Sequence, residues 1–193
     1  MLKLNEKQAL ILDEEKKFAR SVAGLVIEKP KLSIWMILIP IIFVHYFYRW
    51  NQYSEGLRKF SADFVRTRQA ALEETSAALA ANRNADAEKL VAQAKLPAEA
   101  TGAYTGWIKI LLEHYSDLLS ADGTTFSELV RSAYRTKENY LLHLNSLNES
   151  EKRFDAALVL SMADTTQGVN EIVAKMEKSC LNLRRQQAES IFS

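Results

Sequence analysis

LSIWMILIPIIFVHYFYRW, residues 32–50, carries no formal charge before Arg49, and its only clearly polar side chains up to that point are Ser33 and His45. Its 19 residues, at about 1.5 Å each, make a helix of about 28 Å, close to the ~30 Å hydrocarbon core of a bilayer. Ten of them are Leu, Ile, Phe or Val. At roughly −0.3 to −0.6 kcal/mol each, these favour insertion by about 3 to 6 kcal/mol before the cost of Pro40, His45 and Arg49. Rings that prefer the headgroup boundary, Trp35, Tyr46, Tyr48 and Trp50, lie near the ends of the run. The stretch predicts a single transmembrane helix anchored through Trp35, Pro40, Tyr46, Tyr48, Arg49 and Trp50, with Pro40 kinking it near its midpoint. A buried core helix in so small a protein would keep a polar stripe, and this run is apolar all round. It starts far into the chain and NQYSEG follows it, so it reads as an uncleaved anchor, not a signal peptide.

Working outward, residues 1–31 hold seven Lys or Arg and five acids, with Ile11, Phe18, Val22 and Leu25 on one helical face. This predicts an amphipathic N-terminal helical arm that either lies on the membrane or a partner helix, or packs on the protein's own C-terminal bundle. Pro30 ends it. Orientation follows the Lys and Arg bias of the flanks. Residues 12–31 hold five (Lys16, Lys17, Arg20, Lys29, Lys31), and residues 49–68 also hold five (Arg49, Arg58, Lys59, Arg66, Arg68). The rule returns a tie, so the side of the C-terminal domain stays undecided.

Beyond the run, residues 51–193 carry 17 basic and 19 acidic residues. Helical spacing predicts a helix over 51–81, open to continuity with the apolar run, and a turn at Asn82-Arg83-Asn84. A short helix over 86–95 and a break at Pro97 come next. Tyr104, Ile108, Leu111, Tyr115 and Leu118 make the following apolar row, which ends at Asp122-Gly123. Gly102 to Gly106 reads as its entry loop. Thr125 to Glu128 is a capping box, opening a helix with Phe126, Val130, Ala133, Tyr140, Leu144 and Leu147 on one face and a joint at residues 148–150. A last helix carries Phe154, Leu158, Val169, Ile172, Met176, Cys180 and Leu183, with Gly168 as a splitting point. The fold class that results is all-α: a transmembrane helix (32–50) between the N-terminal arm (1–31) and an antiparallel bundle of four to five helices (51–193). The bundle is expected to fold alone, with Phe60, Phe64, Trp107, Tyr115, Phe126, Tyr140 and Phe154 meeting in one interior.

Composition excludes other classes. Six Gly and three Pro in 193 residues leave too few turns for a many-stranded β fold. A net charge of +1 lacks the basic excess of a nucleic-acid binder, so no nucleic-acid partner is expected. The lone Cys180 excludes an intramolecular disulfide and a cysteine-rich zinc site, and reads as a small core residue. The three histidines, His45, His114 and His143, fit neither an HExxH pair nor a Glu-x-x-His motif. His114 and His143 read as surface or bundle-edge residues, and His45 as a neutral imidazole near the membrane boundary. No catalytic residue, cofactor or metal site is expected. The leading function is a membrane-anchored helical adaptor or accessory subunit, single-pass in the membrane. Its partners are the lipid bilayer and either another protein or a second copy. A sensory ligand-binding bundle with a pocket lined by Tyr104, Trp107, Tyr115 and Tyr134 is the alternative, and an enzyme without a recognisable motif the third.

Overall fold

A computed structural model describes residues 2–27, 40–161 and 167–193, with the backbone alone at residues 40–52 and 167–169. Its described residues form seven helices and no strand: α1 (Leu4–Val26), α2 (Pro40–Ala80), α3 (Ala87–Ala94), α4 (Ala98–Ser120), α5 (Phe126–Tyr134), α6 (Lys137–Ser161) and α7 (Gln167–Phe192). The five long helices close a ring in which α1 packs on α2, α2 on α4, α4 on α6, α6 on α7 and α7 on α1. The short α3 leans on α4, and α5 fills the end between α4, α6 and α7. The protein is an all-α helical bundle.

Local chemistry explains the breaks. Asn82 adopts φ 50° and the Arg83 N–H reaches back to the Ala78 carbonyl at 3.0 Å, a Schellman closure that stops α2. Asp86 caps α3 by accepting from the Lys89 N–H at 2.9 Å. Thr125 caps α5 as its spacing predicts, accepting from the Glu128 N–H at 3.3 Å. The Glu128 carboxylate completes the turn on Thr124, accepting from its N–H at 2.7 Å and its hydroxyl at 2.8 Å. The last turn of α4 is closed from outside its own sequence: buried Lys7 on α1 donates to the carbonyls of Leu119 at 3.0 Å and Ala121 at 2.6 Å. A cation there suits both the orphan carbonyls and the negative end of the helix.

Three boundaries differ from the sequence reading. The helix expected to run on past Thr125 stops at Arg135, which takes φ 64°. The joint expected at residues 148–150 is absent, and α6 runs through it unbroken because the polar face there is buried against α7. Residues 102–106 lie inside α4 and not in a loop.

The core is not confined to residues 51–193. Ile11 of α1 is fully buried with Leu72, Leu111, Tyr115, Leu129 and Tyr140 in the main cluster. Phe126 and Phe154 pack against this cluster. Phe60 and Phe64 sit instead in a second cluster with Val22, Val26 and Cys180. The aromatic residues thus meet in two interiors, both of which include α1. That helix runs antiparallel to α2: Glu15 faces Arg68 and Phe18 faces Phe64. At their far end Gly56 faces Ile27: a Cβ added there would lie 3.8 Å from Ile27 Cδ1, an ordinary van der Waals contact. Leu25, expected on the apolar face of α1, is half exposed, and Ala19, Ala23 and Val26 are buried in its place.

Among the described residues no helix is long and apolar enough to cross a membrane. Of the expected span 32–50, residues 32–39, Trp35 among them, lie outside the described residues. Pro40 is the first described residue of α2. The backbone bearing His45, Tyr46, Tyr48, Arg49 and Trp50 continues that 41-residue helix without a break into the bundle, and their side chains lie outside the description.

Candidate functional site

Charged residues occupy positions in the helical rows where the packing calls for apolar ones. On α1 the row Ile11, Phe18 is completed by Glu15. On α2 the step from Phe64 to Leu72 passes through Arg68, on α6 Leu147 and Phe154 enclose Glu151, and on α7 Cys180 is followed four residues later by Arg184. The fold brings all four together. Arg68 Nε lies 3.4 Å from Glu15 Oε2, and its Nη2 donates to Glu151 Oε1. Arg184 grips Glu151 with two parallel bonds, Nη1 to Oε2 at 2.6 Å and Nη2 to Oε1 at 3.0 Å, and also donates to Asn148 Oδ1. Tyr115 of α4 donates to Glu15 Oε1 at 2.8 Å. Two guanidiniums meet two carboxylates, so the cluster is neutral and joins four of the five long helices by charge and the fifth by a phenol. Aromatic faces finish the solvation: the Arg68 guanidinium lies 3.9 Å from the Phe64 centroid and that of Arg184 5.3 Å from Phe18.

Burial sets the titration here. Burial alone would push the Glu151 carboxyl up, but Arg184 and Arg68 outweigh it and hold the carboxyl below its usual range. The Trp107 indole N–H adds to this at longer range, outside hydrogen-bond geometry. Burial would likewise lower Arg184, yet Glu151 keeps it above the usual arginine value. One turn along α6, Asp155 has no such partner among the described residues. Burial, reinforced by Glu151 and Glu177, pushes it up to about 7.

Over this lattice lies an open groove of ≈ 580 Å³ between α2, α6 and α7. Phe64 and Trp107 form apolar wall, Asp155 and Asn148 lie on the α6 side, and Met176 and Cys180 on the α7 side. Asn148 Nδ2 is buried with no acceptor among the described residues. Burial pushes the Cys180 thiol up to about 11, so it stays protonated and unreactive.

The pocket expected around Tyr104, Trp107, Tyr115 and Tyr134 does not form as such. Only Trp107 lines the groove, while Tyr104 and Tyr115 are buried in the main core. Tyr134 belongs to a separate cluster. There His114 is buried, not at the bundle edge as its sequence context implies; its Nδ1 lies 2.6 Å from the Tyr134 hydroxyl and its ring stacks on His143 with centroids 4.5 Å apart. Burial holds His114 well below the usual histidine range and, helped by Arg184, takes His143 down to about 4. Both imidazoles are neutral at physiological pH and act as packing groups. Among the described residues no three His, Cys, Asp or Glu side chains are placed to hold a metal ion.

No family model matches the chain, and neither a curated protein nor a solved structure shows significant similarity to it.

Proposed function

We propose that the protein is a membrane-attached helical adaptor or accessory subunit. Residues 32–50, which the sequence presents as a single-pass anchor, hold it at the bilayer, and the groove between α2, α6 and α7 binds a segment of another protein. The groove carries this reading. Arg68 and Glu151 in its floor are engaged in the buried pairs with Glu15 and Arg184, and its one thiol is held protonated. Groups so engaged fit a surface that holds a partner without reacting with it. The mixture of apolar wall and polar rim is that of a protein interface.

A second reading is favoured by one observation. A volume of ≈ 580 Å³ is within the ~300–1,000 Å³ of small-molecule pockets, and the unpartnered Asn148 amide offers such a ligand a donor. The protein would then be a membrane-attached sensor.

Affinity capture from detergent-solubilised native membranes, with wild type and Asn145→Trp in parallel, tests the adaptor. Asn145 is exposed on the groove wall, so the indole fills the groove without entering the core. A partner retained by wild type and lost by the variant is expected. Equal recovery with both proteins refutes the groove as the interface, and a specific ligand found by thermal-shift screening, lost in the same variant, selects the sensor.

A further inference from the structure

Asp155 stands in the groove between α2, α6 and α7 as a carboxyl without a cation. Lys152, Lys178 and Arg185 line the same groove from exposed positions, yet among the described residues no lysine or arginine is ion-paired with it. Burial, reinforced by Glu151 and Glu177, pushes it up to about 7. Once ionised, the carboxyl therefore costs the free protein stability that an amide of the same size would restore. A group kept at such a cost inside a groove is accounted for by what binds there.

Two further polar groups of the groove lack partners among the described residues. The Asn148 oxygen accepts from Arg184, which has only donors to offer, so the amide cannot turn over and its buried Nδ2 is left without an acceptor. Trp107 is only 7% exposed, and its Nε1 has no acceptor either. Buried donors left unpaired are unfavourable, and a carbonyl oxygen entering the groove relieves them. Asn148 and Asp155 lie two turns apart on one face of α6, about 10 Å along its axis. Three residues of extended chain cover that distance. Trp107 and Phe154, stacked with centroids 5.4 Å apart, give the groove an apolar wall. The methylene stem of a lysine or arginine packs on such a wall while its charged head stays in a polar setting.

We propose that the occupant of the groove is a basic segment of the partner protein, with a Lys or Arg side chain paired to Asp155 and a neighbouring main-chain carbonyl accepting from Asn148 Nδ2. The cation neutralises a carboxyl that Arg68 and Arg184 leave uncompensated. An acidic segment would instead add a like charge beside Asp155, Glu151 and Glu177.

This inference rests on the groove being the partner interface, as proposed above, and one experiment separates the two. Full-length protein in detergent micelles is immobilised and panned against a phage library of random peptides. Enriched peptides are then synthesised with a fluorophore, and their binding to wild type, Asp155→Asn and Asn145→Trp is measured by fluorescence polarisation. Asp155→Asn keeps the side chain's size and relieves a buried charge, so weaker binding by it is not a sign of unfolding. The enriched peptides are expected to share a Lys or Arg, to bind Asp155→Asn roughly 10- to 100-fold more weakly than wild type, and to lose that difference when the shared residue is replaced by norleucine. Binding to Asn145→Trp is lost as well. Peptides that are lost with Asn145→Trp but bind wild type and Asp155→Asn equally overturn the cation site and leave the groove standing as an interface. Peptides indifferent to Asn145→Trp, or no enrichment over empty resin, refute the groove as the interface and the basic partner with it.

Discussion

Arg184→Met removes one of the two guanidiniums on which the buried cluster depends. The methionine keeps much of the apolar stem but loses the paired bonds to Glu151 at 2.6 and 3.0 Å, the bond to Asn148 and the contact over Phe18. Arg68 then faces Glu15 and Glu151 alone, and one buried negative charge is left over. Breaking one side of a buried pair costs about 3–5 kcal/mol. For a chain of this size that is a fall of roughly 6–20 °C in Tm. Glu151→Leu alone should cost a similar amount, because it strands Arg184. The double variant Arg184→Met with Glu151→Leu keeps one guanidinium and one carboxylate, Arg68 and Glu15, and should be more stable than either single variant, since apolar replacement of a whole buried pair is close to neutral. The folded-state value of Glu151 lies below its ordinary 4.5. Its contribution is therefore fully present above that ordinary value and is lost as pH falls through the folded one. Thermal and urea unfolding of the four proteins, followed by circular dichroism at pH 7, give the cycle. A cost under about 1 kcal/mol for Arg184→Met, or a double variant as weak as the sum of the singles, would refute the argument that charge balance holds these helices together.

Asp155→Asn should stabilise the protein by about 1–3 kcal/mol above pH 7 and by nothing near pH 4. Its wild-type carboxyl titrates at about 7 against an ordinary 3.8, so folding favours the protonated form and wild-type stability falls as pH rises between those values; unfolding curves at pH 4 and 8 check this. Lys7→Met leaves two carbonyls at the end of α4 without their donor and should cost about 1–3 kcal/mol, with faster amide exchange in the last turn of α4. Gly123→Ala would put a Cβ 2.8 Å from both Glu128 Cβ and the Leu129 nitrogen, so the loop between α4 and α5 must shift, with a loss of about 1–3 kcal/mol in a thermal melt. Leu111→Asp, at a fully buried position, should cost several kcal/mol, whereas exposed Glu73→Ala stays within about 0.5 kcal/mol; equal effects in urea titrations would contradict the assigned core.

Where apolar rows and local caps fix the structure, the sequence was a sufficient guide. Tyr104, Ile108, Leu111, Tyr115 and Leu118 all face inward from α4, and Asp86 and Thr125 start α3 and α5 through bonds to residues three positions on. Breaks and buried charges were not legible, for a common reason: each depends on something distant. Arg135 stops α5 at a positive φ with no glycine to advertise it. Asn148 looks like a joint until Arg184, 36 residues away, takes its side-chain oxygen. His114 looks like a bundle-edge residue until Tyr134 and His143 cover it. A signal for the cluster was nonetheless present. Glu15, Arg68, Glu151 and Arg184 each stand four residues after an apolar row member, two acids and two bases in all, and pairing them would have placed α1 inside the bundle.

The bonds that close the ring also set an order of assembly. Lys7 meets carbonyls 112 and 114 residues later in the chain, and Glu14 meets Gln187 across 173 residues. During synthesis at about 5–20 residues per second, α1 leaves the ribosome many seconds before the helices that cover it. In that interval Glu15 and Arg68 have each other but neither Glu151 nor Arg184, and Ile11 has no core to enter. The apolar run 32–50 is made in the same interval, as part of a nascent chain whose bundle cannot yet form. Closure waits for α7, and a ribosome-stalled chain ending before Arg184 should leave α1 open to protease.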